Sequence, residues 1–198
     1  MARTVNPVEH AARRGALLDA AAACVAERGF DGTRTADIVA RAGTSTGNLF
    51  HYFPSKQALV VGLLDRERDE TAAYLDDLLV RDDPRAALDE LLGTVIELAA
   101  DPGYSALALE ISAAAHRSGE IAERVGRNDS ELRTAIATLV DRARDCGQVA
   151  ATGDVAELAS WVALLVDGLF ARVGVDPTFD PRSQAARLTA VVSGLLDG

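Results

Sequence analysis

Lysine occurs once in these 198 residues, at Lys56, and cysteine only twice, at Cys24 and Cys146. The cysteines stand far apart with no CxxC and no histidine at ligand spacing, which excludes a zinc ribbon or a redox motif and leaves two thiols expected to be buried. Histidine is confined to His10, His51 and His116. HExxH, the P-loop, GxGxxG and a paired ExxH set are all missing, so no enzyme, metal or cofactor is expected. No apolar run approaches 18 residues, short of a membrane span, so no membrane partner is expected. The start, MARTVNPVEHAARR, lacks the apolar segment of a signal peptide, and a cytoplasmic protein is expected. Strand-like alternation, repeats and low-complexity tracts are absent too, which leaves an all-α fold of about nine helices.

The charge is present but uneven. Residues 1–60 carry seven Arg or Lys against five Asp or Glu, and the remainder 13 against 25, within a formal net charge of −10. A mildly basic head on a strongly acidic body suits a chain whose head alone meets a polyanion.

The head holds the most telling stretch, Thr33 to Lys56. Thr33 or Thr35 can cap a short helix whose apolar face is Ala36, Ile38, Val39 and Ala42. Gly43 makes a turn. Thr44 or Ser45 can cap a second helix with Leu49, Phe50 and Phe53 inward and Thr46, Gly47, Asn48, His51 and Tyr52 outward, stopped by Pro54. Two short helices about a glycine turn, the second with a polar and nearly uncharged face, is the pattern of a helix-turn-helix that enters the major groove. Thr46, Asn48 and His51 are the expected base-edge readers, and Arg34, Thr35, Ser45, Tyr52 and Lys56 the expected phosphate contacts, with Gly47 allowing close backbone approach. Arg3, in the N-terminal arm, is a further expected groove or phosphate contact.

Gly29-Phe30, Thr33, Asp37-Ile38, Arg41-Ala42-Gly43, Ser45, Gly47, Leu49-Phe50-His51-Tyr52-Phe53 and Ser55-Lys56 with Leu59 together resemble the DNA-binding domain of the TetR family of transcriptional regulators. Thr44 stands where an apolar residue is common and Val39 where alanine is common. The resemblance implies a three-helix head, residues 1–60, and a helical effector-binding and dimerisation domain, residues 61–198. It implies a regulator, usually a repressor, that leaves a near-palindromic operator when a small molecule binds. An activator with the same head is one alternative, and an all-α binding protein or enzyme without DNA binding is another.

Helices are expected from Val8 to Arg28 and from Ser55 to about Arg81, the latter charged all round at residues 65–70 and so bare in its middle. Further helices should begin at Pro84, Tyr104, Glu120, Asp154 and Pro181. The last two are apolar over much of their circumference, which favours pairing with a second copy as a four-helix bundle. Leu158, Val162, Leu165, Leu169, Leu188, Val192 and Leu195 are the expected dimer interface. Tyr74, Val95, Tyr104, Leu107, Ile111, Ile136 and Trp161 are the expected lining for an apolar or amphipathic effector.

Overall fold

The computed structural model describes residues 7–197. Arg3 therefore lies outside the described residues. The described chain is nine α-helices without a strand: α1 Pro7–Gly32, α2 Thr35–Arg41, α3 Thr46–Tyr52, α4 Lys56–Leu79, α5 Pro84–Ala100, α6 Pro102–Ala115, α7 Gly119–Asp145, α8 Val155–Val175 and α9 Pro181–Asp197. They form two compact units, which divide within α4 between Arg66 and Glu67. The first takes in Ala106–Arg124 besides the N-terminal helices; the second holds Glu67–Ser105 and the chain from Val125 onward.

In the first unit, Leu17, Leu18, Ala21 and Cys24 of α1 pack with Ile38, Leu49, Phe53, Leu59 and Leu63. Gly62 lets Phe53 in, since a Cβ there would stand 2.7 Å from the phenyl ring. Ala36, expected on the apolar face of α2, is exposed instead, as are Val8 and Ala12 in the first turns of α1. Phe50 is a correction of the same kind, 47% exposed while its neighbour Leu49 is 1% exposed. A helix of two turns buries one narrow stripe, and Leu49 with Phe53 fills it.

The start of α2 also departs from expectation. Arg34 is the N-cap, with its N–H donating to Asp37 Oδ2 at 3.1 Å. The Thr33 hydroxyl is turned inward and donates to Cys24 O at 2.9 Å and Gly29 O at 2.8 Å. The cause is a kink: Gly29 takes φ 72°, ψ 166° inside α1, which folds the following turn back so that Thr33, whose N–H bonds Gly29 O at 3.1 Å, also comes within reach of the Cys24 carbonyl nine residues earlier.

The middle of α4 is not bare. In the first unit, Asp65 accepts from Arg124 at 2.9 Å and Arg66 pairs with Asp19 at 2.6 Å. In the second unit, Glu67 accepts from the Tyr104 hydroxyl and Arg68 pairs with Glu131 at 2.8 Å. Charges that look solvated in one dimension have partners from 37 to 63 residues away.

The second unit is built on Leu78, Leu88, Leu92, Ile136, Leu139, Val140, Val162, Val192 and Leu196. A smaller cluster holds Val95, Ile96, Ala99, Val166 and Leu169, with Phe170, Phe179 and Leu188 against it. Asp83 caps α5 by accepting from Ala86 N at 3.0 Å, and Asp154 caps α8 by accepting from Ala156 N at 2.9 Å. Cys24 is buried, but Cys146 is exposed, since it falls where α7 ends. By length and composition α8 could cross a membrane. Here its Ala159, Val162 and Ala163 face sits in the core of the second unit.

Candidate nucleic-acid interface

Gly43 adopts φ 62° between α2 and α3, and Thr44 N reaches back to Val39 O at 3.0 Å. This left-handed step suits glycine. It turns the chain so that Ser45 becomes the N-cap of α3, its hydroxyl accepting from Asn48 N at 3.2 Å. The Asn48 amide in turn donates to the Thr44 hydroxyl at 2.8 Å. Thr44, the residue that departs from the family pattern, thus steadies the side chain in the middle of the polar face.

Thr46, Gly47, His51, Ser45 and Arg34 are exposed, and Thr35, Asn48, Tyr52 and Lys56 half-buried. Tyr52 packs against two imidazoles, His10 of α1 at 4.6 Å and His51 at 5.3 Å between centroids, which themselves stand 6.4 Å apart. Lys56 opens α4, next to Ser55, whose hydroxyl accepts from Ala58 N at 3.0 Å. Its ammonium lies over the Phe30 ring. The scaffold behind α2 is pinned by ion pairs, Arg28 to Asp37 at 2.6 Å and Arg41 to Glu27 at 2.5 Å. The Arg28 guanidinium, helped by the Arg34 N–H, holds the Asp37 carboxyl below the usual carboxylate range. Apart from Arg3, the nine expected contact residues fall on one short run of chain, residues 34–56, that the turn and its caps organise.

The run Gly43-Thr44-Ser45-Thr46-Gly47 also fits the G-x-S-x-G pattern of a hydrolase nucleophile. Here Ser45 follows α2 and the Gly43 turn rather than a strand, and its hydroxyl serves as the cap of α3.

The residues expected to line an effector site are scattered. Leu107 and Ile111 belong to the first unit, and the other five to the second. Ile136 is 1% exposed within the main core, whereas Trp161 is 50% exposed. Tyr74 donates or accepts with Thr94 at 2.8 Å. Tyr104 and Phe170 stand with ring centroids 6.0 Å apart, beside the Val95 cluster. A separate open cleft of about 330 Å³ runs between α7 and the start of α8, lined by Arg133, Thr134, Ala137, Asp141, Arg142 and Val155 among others. None of the seven expected residues borders it.

Of the expected interface residues, Val162, Leu169 and Val192 are buried in the chain's own core, while Leu158, Leu165, Leu188 and Leu195 are half-buried. The outward apolar stripe of α8 is instead Trp161, Leu164 and Val175, and Val191 is its counterpart on α9.

Residues 17–63 match the profile of the bacterial regulatory proteins of the tetR family, and residues 80–197 that of the BetI-type transcriptional repressor C-terminal domain. The chain belongs to the TetR family. This TetR-family chain is 28% identical to the HTH-type transcriptional repressor Rv1474c of Mycobacterium tuberculosis, over 91% of each. Two solved structures share its fold. Salmonella enterica GusR is 24% identical with a TM-score of 0.78, covering 98% of this chain and 99% of its own. A transcriptional regulator from Saccharomonospora viridis, solved in complex with choline, is 21% identical with a TM-score of 0.81, covering 92% and 96%. The protein is a DNA-binding transcriptional regulator of the repressor class.

Proposed function

We propose that the protein acts as a homodimer whose two α3 helices enter successive major grooves of a near-palindromic operator, and that a small amphipathic molecule bound in the second unit releases it. The observation that carries the DNA reading is the α3 face. Thr46, Asn48 and His51 project from a helix whose start is capped by Ser45, and neutral donors and acceptors of that kind read base edges. Arg34, Thr35, Ser45, Tyr52 and Lys56 surround them as phosphate contacts, with Gly47 at the point of closest backbone approach.

The dimer is supported by the outward stripe of α8. Trp161, Leu164, Gly168 and Val175 recur at helical spacing, and a Cβ on Gly168 or on Gly194 of α9 would meet nothing within 4 Å. Large apolar side chains beside small residues suit a close helix pairing between copies. Half-sites about one helical turn apart, or a multiple of it, follow from the two-fold symmetry.

Tyr104 and Phe170 support the effector class. Burial first, then the charges of Glu67 and Glu70, pushes the Tyr104 phenol above its ordinary range. Two rings and two carboxylates beside an apolar cluster suit an organic cation with an apolar body. The choline complex of the Saccharomonospora viridis neighbour makes choline the first probe.

Fluorescence anisotropy on the DNA flanking the protein's own gene, against a scrambled duplex at two salt concentrations, tests the whole reading. Specific, salt-sensitive binding by two chains per site is expected, with release by choline and not by its neutral carbon isostere. Failure to select any duplex from a genomic fragment pool would overturn the operator reading. Release by the isostere alone would overturn the cationic effector.

A further inference from the structure

Phe30 N is 2.7 Å from Glu110 Oε2, a hydrogen bond across 80 residues of sequence. It exists because of Gly29. The kink there frees the Phe30 N–H from the α1 ladder, and a buried N–H without an acceptor costs as much as a lost hydrogen bond. Glu110, on α6, supplies that acceptor. The fit is close on both sides: a Cβ on Gly29 would lie 3.2 Å from Glu110 Oε1, so the carboxylate occupies the space that glycine leaves open.

The same turn of chain carries groups that bear on the DNA-facing surface. The Phe30 ring supports the Lys56 ammonium at 4.5 Å, and the Asp31 carbonyl stands 3.5 Å from it. Arg117, just past α6, reaches Asp31 at 4.0 Å. Gln57, beside Lys56, donates to the Ser118 hydroxyl at 3.1 Å and to Glu120 at 2.9 Å. All of these residues lie in the first unit. Three points of attachment thus join α6 and the α6–α7 turn to the end of α1 and the start of α4, and Glu110 is the one that sits on the kink.

We infer that Glu110 is a positioning residue for DNA binding: it sets the Gly29 kink, and through Phe30 it sets the place from which Lys56 meets phosphate. Glu110 is not one of the expected DNA contacts, and its carboxylate is engaged with Phe30 N. Its removal therefore lowers affinity without removing a phosphate contact, which separates it from Lys56.

The test uses the full chain and a fluorescein-labelled duplex selected by the wild-type protein from a random-sequence pool. Glu110→Ala should raise the exchange rate of the Phe30 amide at least tenfold. It should weaken duplex binding about fivefold, the low end of the range by which coupled positions shift an equilibrium, with the salt slope unchanged. Glu110→Gln keeps an acceptor oxygen and should restore both to within about twofold of wild type. Val140→Ala, in the core of the second unit at 0% exposure, serves as a control for lost stability. If Glu110→Ala binds the duplex as tightly as wild type, or if Val140→Ala at equal loss of Tm weakens binding equally, the inference falls. If Glu110→Ala lowers the salt slope as Lys56→Ala does, Glu110 acts otherwise than by positioning, and the inference falls as well. A wild-type protein that selects no duplex would instead overturn the operator reading itself.

Discussion

The Lys56 ammonium rests between two acceptors of positive charge, the face of the Phe30 ring at 4.5 Å and the Asp31 carbonyl at 3.5 Å. A flexible four-carbon stem is thereby held at the first turn of α4, where free backbone N–H groups also favour an anion. The only lysine of the chain is thus half-buried and steadied by its neighbours.

Lys56→Ala should weaken binding to operator and random DNA by the same factor and lower the slope of log affinity against log salt by about one unit. Titrations at four salt concentrations on both duplexes measure this. A slope that does not change would show that Lys56 neutralises no phosphate.

Leu49 and Phe50 are adjacent in α3 and should behave oppositely to their sizes. Leu49→Ala empties a site that is 1% exposed and should cost about 2–5 kcal/mol. Phe50→Ala removes a ring that is already 47% exposed and should cost about 1 kcal/mol. Thermal unfolding of the two variants decides it, and a larger loss for Phe50→Ala would contradict the packing described.

The helix-turn-helix was legible because its determinants are local. Gly43, the Ser45 cap and Leu49 act within a few residues of one another, and their spacing alone implies the turn. Thr33 departs for a related reason: a hydroxyl before a helix looks like a cap until the fold-back at Gly29, four residues earlier, brings it beside the Cys24 and Gly29 carbonyls. Phe50 defeated periodicity because two helical turns are too few to define a stripe. The middle of α4 and Glu110 were out of reach altogether, since their partners come from α1, α6 and α7, and no local pattern encodes such pairings. The expected DNA contacts stay together because one segment carries them. The expected effector residues came from five helices, and spacing along a helix cannot say which of them share a space.

Asp37 ties the start of α2 to Arg28. Its carboxyl titrates below the usual value, chiefly because of the Arg28 guanidinium, so the ionised form is favoured in the folded state. The stabilisation is complete above the unfolded value, near pH 4, and fades as pH falls through the lower folded value. Wild type and Asp37→Asn should differ in Tm at pH 7, and the gap should narrow steadily below about pH 4. A gap of constant size down to pH 3 would show that the charge on Asp37 is irrelevant.

Trp161 and Val162 are neighbours on α8 with opposite surroundings, one 50% exposed and the other 1%. Trp161→Glu should leave the helical circular dichroism intact while raising the dimer dissociation constant by an order of magnitude or more, the effect of truncating an aromatic anchor at an interface. Val162→Ala should lower Tm and leave the dimer in place. Light scattering across a dilution series distinguishes them, and a Trp161→Glu protein that remains dimeric at every concentration would exclude this face.

Asn48 meets DNA, in the operator reading, with its rotamer already chosen. One amide hydrogen is engaged by the Thr44 hydroxyl at 2.8 Å, and the backbone beneath is tied to Ser45, so the carbonyl oxygen and the second amide hydrogen remain as the acceptor and donor that this side chain can offer. Ordering a free side chain on binding costs about 0.5–1.5 kcal/mol; here most of that loss of freedom has occurred when the head folds. In that reading the departure at Thr44 is expected to sharpen discrimination, because an amide with one hydrogen already engaged turns less freely to accommodate a mismatched base.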